Sequence, residues 1–276
     1  MTTPAQAAGA QLTQQRPTNP NTTCQQKTKL APTTRARDKE AITLAWLGIF
    51  ACSTTPQIKK LLAIKADGYL PKLQHDGLVE GRTVGKMNEK IWTLTPRGRE
   101  SAAQILGWHP YKIRAERVNV SIASHNGKAQ DIALDWILTR KGPRVEEIRK
   151  LTAYLDMQRT LSVAAPDVVY ASEGRYGGVV WLAWEIECNP KADKELTNKV
   201  KRLAELQVRH GYCDRLHVEW HIRGGETVLR RYERVWEEAC RALRAEMIKD
   251  AYPNEPEMKR IKAMAFPTCK THHLPD

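Results

Sequence analysis

The stretch 179–188, Val-Val-Trp-Leu-Ala-Trp-Glu-Ile-Glu-Cys, constrains the fold more than any other part of the chain. Its nearly continuous apolar run, rich in β-branched and aromatic residues, reads as a strand buried on both faces, like the central strand of an α/β sheet. Such a strand needs packed layers above and below it. It nevertheless carries Glu185 and Glu187. Residues i and i+2 of a strand share a face, so the two carboxylates project together where unpaired charge is costly. Two glutamates at this spacing can also line the solvated face of an antiparallel strand. The apolar surroundings favour a functional pair.

A third carboxylate lies upstream. Pro166-Asp167 opens a predicted strand over 167–171, and the glycine-rich turn 174–178 folds it back onto 179–188. Three carboxylates at one end of a sheet make an oxygen-rich site suited to Mg²⁺ or Mn²⁺. Phosphodiester hydrolysis uses such a cation to activate water and to neutralise charge developing on phosphorus. Strand and helix then alternate: an amphipathic helix over 191–210, a strand over 216–220 and a long helix over 228–247. The first of these helices carries Lys191, Lys194, Lys199 and Arg202 along one polar stripe, which serves either as a phosphate clamp or as a solvated face. Upstream, Ile132, Ala133, Trp136 and Ile137 mark a helix over 126–138, while 146–155 fits helix or strand.

The first half has a different rhythm. Ile42, Ala45, Trp46 and Ile49 recur at helical spacing. Thr54 is a good N-cap for a second helix with Pro56 in its first turn. A third helix over 68–75 turns Leu70 and Leu73 inward and ends at Gly77. Two short strands follow, at Leu78-Val79 and 91–94, joined by a basic loop, and Thr95 caps a further helix. Three helices and then a ribbon with a basic tip is the winged-helix order. The segments Leu70-Pro71-Lys72-Leu73-Gln74-His75-Asp76-Gly77-Leu78-Val79 and Trp92-Thr93-Leu94-Thr95-Pro96-Arg97-Gly98 resemble the signature of many winged helices. Winged helices usually lay the third helix in the major groove. The expected DNA contacts are therefore Lys72, Gln74 and His75 on that helix and Arg82, Lys86 and Lys90 on the ribbon. Other winged helices serve as protein-interaction modules. Lys and Arg number 44 against 31 Asp and Glu, a formal charge of +13. That excess points to a polyanionic partner, most commonly nucleic acid.

Asp167, Glu185 and Glu187 resemble the PD-(D/E)-x-K nuclease signature, with glutamate in the usual lysine place. Together with the winged-helix pattern, His125 and the lysine-bearing helix, they resemble the replication-relaxation family and, within it, the MOBC class of plasmid relaxases. The resemblance spans roughly 40–245. It implies an N-terminal winged helix-turn-helix domain followed by a restriction-endonuclease-like α/β domain, an α+β/α/β chain overall. It also implies a metal-dependent endonuclease that nicks double-stranded plasmid DNA at an origin of transfer, with accessory relaxosome proteins and a coupling ATPase as partners. Asp167, Glu185 and Glu187 would hold Mg²⁺ or Mn²⁺, and Lys199 matches a lysine of the family's following helix. Asp131 joins as a further metal ligand and His125 as a catalytic residue if the family pattern carries over. Otherwise His125 is a helix cap and Asp131 a first-turn acid favoured by the helix dipole. The rival readings are a non-catalytic plasmid replication or transcription regulator with a degenerate nuclease fold, and a restriction or transposon-end nuclease.

Other chemistries find no motif. The chain has no P-loop and no G-x-S-x-G elbow. His217 and His221 flank Val218-Glu219-Trp220 on a predicted strand, and His272-His273 lie in a predicted tail, so neither matches the paired-histidine motif of tyrosine relaxases. Six scattered cysteines include no C-x-x-C pair. The first 36 residues lack the apolar core of a secretory signal, and the near-apolar run 41–52 is shorter than the roughly 20 residues a membrane span needs. The expectation is a cytoplasmic protein with reduced thiols and no membrane insertion. The expected organisation is a disordered basic tail over 1–36, a winged helix over 37–110, a nuclease domain over 111–250 and a loose C-terminal tail over 251–276.

Overall fold

The computed structural model describes residues 32–83, 90–113, 120–153, 166–175, 177–211 and 213–274. Within them the chain is a mixed α/β molecule with helices arranged about two sheets. The first part runs α1 (Pro32–Phe50), β1 (Cys52–Thr54), α2 (Thr55–Leu62), α3 (Tyr69–His75), β2 (Val79–Thr83), β3 (Lys90–Leu94) and α4 (Pro96–Leu106). Its sheet has the order β1-β3-β2 and is antiparallel throughout. Helix α1 starts at Pro32, where the missing proline N–H costs nothing. It therefore takes in residues expected in the tail; residues 1–31 lie outside the described ones.

Local chemistry fixes the corners. Thr54 and Gln57 form a reciprocal capping box, with Thr54 Oγ1 accepting from Gln57 N and Gln57 Oε1 accepting from Thr54 N at 3.0 Å. Gly77, at φ +70°, ends α3 in the left-handed region. Gly98 is needed for close approach, because a Cβ there would collide with the Leu78 carbonyl. Strand β1 was not expected. It is three residues long, too short to show a period, and exists because Cys52 and Ser53 pair with Thr93 and Trp92.

The second part runs α5 (Val120–Arg140), α6 (Val145–Ile148), β4 (Leu151–Ala153), β5 (Val168–Glu173), β6 (Val179–Glu187), α7 (Asp193–Val208), β7 (Arg215–Ile222), α8 (Glu226–Asp250), α9 (Glu255–Ala263) and β8 (Thr268–His273). Its sheet has the order β4-β5-β6-β7-β8. β4, β5 and β6 are antiparallel neighbours, whereas β6, β7 and β8 run parallel. Parallel neighbours require crossovers; α7 supplies the first, and α8 with α9 the second. The described part of the ambiguous segment 146–155 divides between α6 and β4, and residues 154 and 155 lie outside the described ones.

The two faces of this sheet bury different partners. Val169, Ala183, Val218 and Trp220 pack with Leu196, Val200, Tyr232 and Trp236 of α7 and α8. Val168, Tyr170, Trp184 and Ile186 belong to a core shared with Ala133 and Ile137 of α5 and with Trp46 and Leu47 of α1. That core is continuous across the boundary expected near residue 110. A buried polar cluster crosses it too. Trp46 Nε1 donates to Ser53 Oγ and to Gln130 Oε1, each at 3.0 Å, and Gln130 Nε2 donates to the Cys52 carbonyl at 2.8 Å.

The C-terminal segment is not a loose tail. Ile261 and Leu274 are buried, Trp236 Nε1 donates to the Pro267 carbonyl at 3.2 Å, and Leu274 N donates to the Ile222 carbonyl at 2.9 Å. Its basic, proline-broken composition conceals β8 because the strand's partner, β7, lies before two intervening helices. Among the described residues, no helix is long and apolar enough to cross a membrane.

Candidate functional site

The hairpin between β5 and β6 sets the register of the acidic residues. Gly177 and Gly178 have φ of 81° and 78°, a conformation costly for other residues. A Cβ on Gly178 would also run into the Asp214 carboxylate, whose Oδ2 accepts the Val179 N–H at 2.6 Å. The resulting register pairs Val168 with Trp184. Asp167, one step before β5, therefore falls beside Glu185 and Ile186, and its Oδ2 accepts the Ile186 N–H at 2.7 Å. Glu185 and Glu187 share the face that carries Trp220 and Ile222 on β7.

All three carboxylates are buried: Glu185 is 0%, Glu187 4% and Asp167 9% exposed. Burial on this scale requires compensating charge, and α7 provides it. Lys199 Nζ lies 2.6 Å from Glu185 Oε2 and 3.1 Å from Glu187 Oε1, with the Trp220 ring 5.3 Å away. Lys191, just before α7, places its Nζ 3.0 Å from Glu187 Oε2. Helix α8 holds that loop: Lys191 N donates to Tyr232 Oη at 3.0 Å, and the Lys191 carbonyl accepts from Arg231. His125 Nε2 stands 3.6 Å from Asp167 Oδ2, farther than a hydrogen bond.

Glu185 is incompletely served. Its Oε1 has no hydrogen-bond partner among the described residues, and Oε2 meets the Lys199 ammonium without an aligned hydrogen bond. Burial pushes the Glu185 carboxyl well above the ordinary glutamate range, against the pull of Lys199. Burial opposes the charge on Lys199 as well, but Glu185, Asp167 and Glu187 outweigh it and hold the ammonium pKa above its usual value. The orphaned oxygen and the all-carboxylate donor set fit a hard divalent cation. The three acids are nevertheless less tightly gathered than Glu219, His221 and His272. That trio is the one group of His, Cys, Asp and Glu among the described residues whose ligand atoms all lie within 4.8 Å of one another.

The remaining expected residues fall into two groups. Asp131 is exposed, and its Oδ1 accepts from Gln57 Nε2 at 3.0 Å. An α-helix turns about 100° per residue, so Asp131 and His125 occupy different sides of α5. Asp131 thus joins α5 to α2, whereas His125 reaches Asp167. Lys72, Gln74 and His75 are exposed on α3, and Arg82 and Lys90 on the ribbon; Lys86 lies outside the described residues. Lys72 pairs with Asp76 and Arg82 with Glu80, each at 2.7 Å, and Lys90 Nζ sits 4.6 Å over the Trp92 ring. Arg35, Lys39 and Lys72 line a groove of about 340 Å³ beside α3.

Sequence reasoning placed Lys191 on a polar stripe without its partner. The signal was present, since Lys191 follows Glu187 by four positions. Gln57 and Gln130, which hold α5 in place, left no such local signal. Comparison with known protein families, with curated proteins and with solved structures gives no match to this chain.

Proposed function

We propose that the protein is a metal-dependent DNA endonuclease in which Asp167, Glu185 and Glu187 hold Mg²⁺ or Mn²⁺. One observation carries this reading: three buried carboxylates lie at one end of a mixed sheet, with Lys199 reaching Glu185 and Glu187 from the following helix. A bound cation would polarise the scissile phosphate and lower the pKa of an attacking water. The chain's own residues do the rest. Lys199 positions both glutamates and presents positive charge toward the phosphate. Lys191 restrains Glu187 from its other oxygen. His125 lies close enough to Asp167 to steer a carboxylate that is already anchored by the Ile186 N–H.

The order of the described helices and strands over 32–106 supports a winged-helix reading, with exposed Lys72, Gln74 and His75 toward the major groove and Arg82 and Lys90 toward the backbone. The order of strands and crossovers after residue 120 supports a restriction-endonuclease-like core. The resemblance to MOBC relaxases extends the proposal to cytoplasmic nicking of plasmid DNA at an origin of transfer, with relaxosome proteins and a coupling ATPase as partners. Supercoiled plasmids with and without such an origin, incubated in Mg²⁺, Mn²⁺ or EDTA, test it. Metal-dependent open circles from the origin-bearing plasmid are expected, and plasmid left supercoiled in every condition would reject it.

A second reading draws on the same geometry. The Lys199 ammonium already bridges Glu185 and Glu187. In a non-catalytic DNA-binding regulator, that pairing would be the permanent state of the site.

A further inference from the structure

The opposite face of the second sheet carries another cluster of ligating side chains. Paired residues of neighbouring strands share a face. Glu185 pairs with Trp220 and Ile186 with His221, so His221 projects away from the acidic site. Two positions earlier on β7, Glu219 shares that face, and on β8 His272 lies directly beside His221. The sequence assigned His272 to a tail. The parallel pairing of β8 with β7 brings it into this cluster.

The ligand atoms of Glu219, His221 and His272 all lie within 4.8 Å of one another. The two imidazoles stack with centroids 4.9 Å apart and planes 15° apart. Nε2 of each ring is buried and has no hydrogen-bond partner among the described residues. Two buried orphaned nitrogens side by side are unfavourable in the absence of a ligand. Glu219, in contrast, is oriented: its Oε2 accepts from Trp184 Nε1 at 2.8 Å. A hydrogen bond from behind is the usual way a protein fixes a metal-binding carboxylate.

We propose that Glu219, His221 and His272 form a second cation site, for a borderline divalent transition metal of the zinc class. Two imidazoles and one carboxylate suit that class and are poor ligands for Mg²⁺. Two ligands each about 2.1 Å from a zinc ion lie at most roughly 4.2 Å apart, so small side-chain rotations close the present spacing. The ion joins β8 to β7, and through Glu219 and Trp184 it reaches the central strand β6. It therefore fastens the C-terminal strand to the sheet, independently of any nuclease chemistry on the other face.

The test uses full-length, metal-stripped protein titrated with Co²⁺, a spectroscopic stand-in for Zn²⁺, in a large excess of Mg²⁺ that fills the proposed hard-cation site on the other face. Saturation at a single ion per chain is expected, with visible ligand-field bands, without a thiolate charge-transfer band, and with displacement by Zn²⁺ but not by excess Mg²⁺. His272→Gln and Glu219→Gln each remove a ligand and should weaken Co²⁺ binding by at least about 100-fold, the upper end of what losing an outer-shell partner costs, whereas Glu187→Gln, on the other face, should leave the spectrum unchanged. Circular dichroism verifies that each variant is folded. No stoichiometric Co²⁺ binding by the wild type, a thiolate band, or a spectrum altered by Glu187→Gln and not by His272→Gln would overturn the assignment.

Discussion

Replacing Lys199 with methionine keeps most of the side-chain length and removes the charge. Fully buried Glu185 then loses the ammonium 2.6 Å away, while Glu187 keeps Lys191 at 3.0 Å. Removing one partner of a buried ion pair destabilises a protein by about 3–5 kcal/mol. Two features draw this case to the lower end. Lys191 still serves Glu187, and Glu185, whose carboxyl is already raised by burial, can take up a proton. Each pKa unit of that adjustment is worth about 1.4 kcal/mol. We expect Lys199→Met to lose about 3 kcal/mol near pH 8 and distinctly less near pH 5. Adding Glu185→Gln to Lys199→Met should recover most of the loss, since the double variant buries no uncompensated charge at that position. Urea denaturation followed by tryptophan fluorescence, with chelator present, measures all three variants. Lys199→Met within about 0.5 kcal/mol of wild type at both pH values would refute the reasoning, because that is the range of ordinary surface substitutions.

Gln130→Leu removes the acceptor shared by Trp46 Nε1 and the donor to the Cys52 carbonyl. It should lower stability by about 2 kcal/mol, read as a shifted urea midpoint at unchanged slope. Gly98→Ala forces a Cβ into the Leu78 carbonyl; a loss of about 3 kcal/mol is expected in thermal melts. The Glu185 carboxyl is raised in the folded state, chiefly by burial. Its proton therefore stabilises the fold at low pH, and that contribution disappears as pH rises through the folded-state value. With chelator present, wild-type stability should fall with rising pH relative to Glu185→Gln, as denaturation across a pH series will show.

What the sequence disclosed was whatever rests on local chemistry. The apolar run of β6, the glycines of its hairpin, the caps at Thr54 and Thr95 and the left-handed Gly77 each act within a few residues, and each is found where expected. Asp167, Glu185 and Glu187 were legible for the same reason, because a hairpin converts spacing into proximity. Lys199 was legible as a residue, but its position over both glutamates depends on how α7 packs. Strands β1 and β8 went unseen because each gains its hydrogen bonds from a partner distant in sequence. Asp131 was misplaced because nothing local shows that Gln57 waits across the helix interface. His221 and His272 were separated for the reason that hid β8, since only parallel pairing makes them neighbours.

The most direct measurement of the central claim is Mn²⁺ binding, followed by the loss of free-ion electron paramagnetic resonance signal. It is measured in wild type and in Asp167→Asn, Glu185→Gln and Glu187→Gln, each verified as folded. If the acidic cluster is a hard-cation site, wild type binds Mn²⁺, each substitution weakens it strongly, and excess Mg²⁺ competes. The bound ion should also raise the wild-type melting temperature by linkage, a gain absent from the variants. Wild-type protein that leaves the Mn²⁺ signal untouched, or variants that bind as well as wild type, would contradict the account and leave Lys199 as the permanent counter-ion of Glu185 and Glu187.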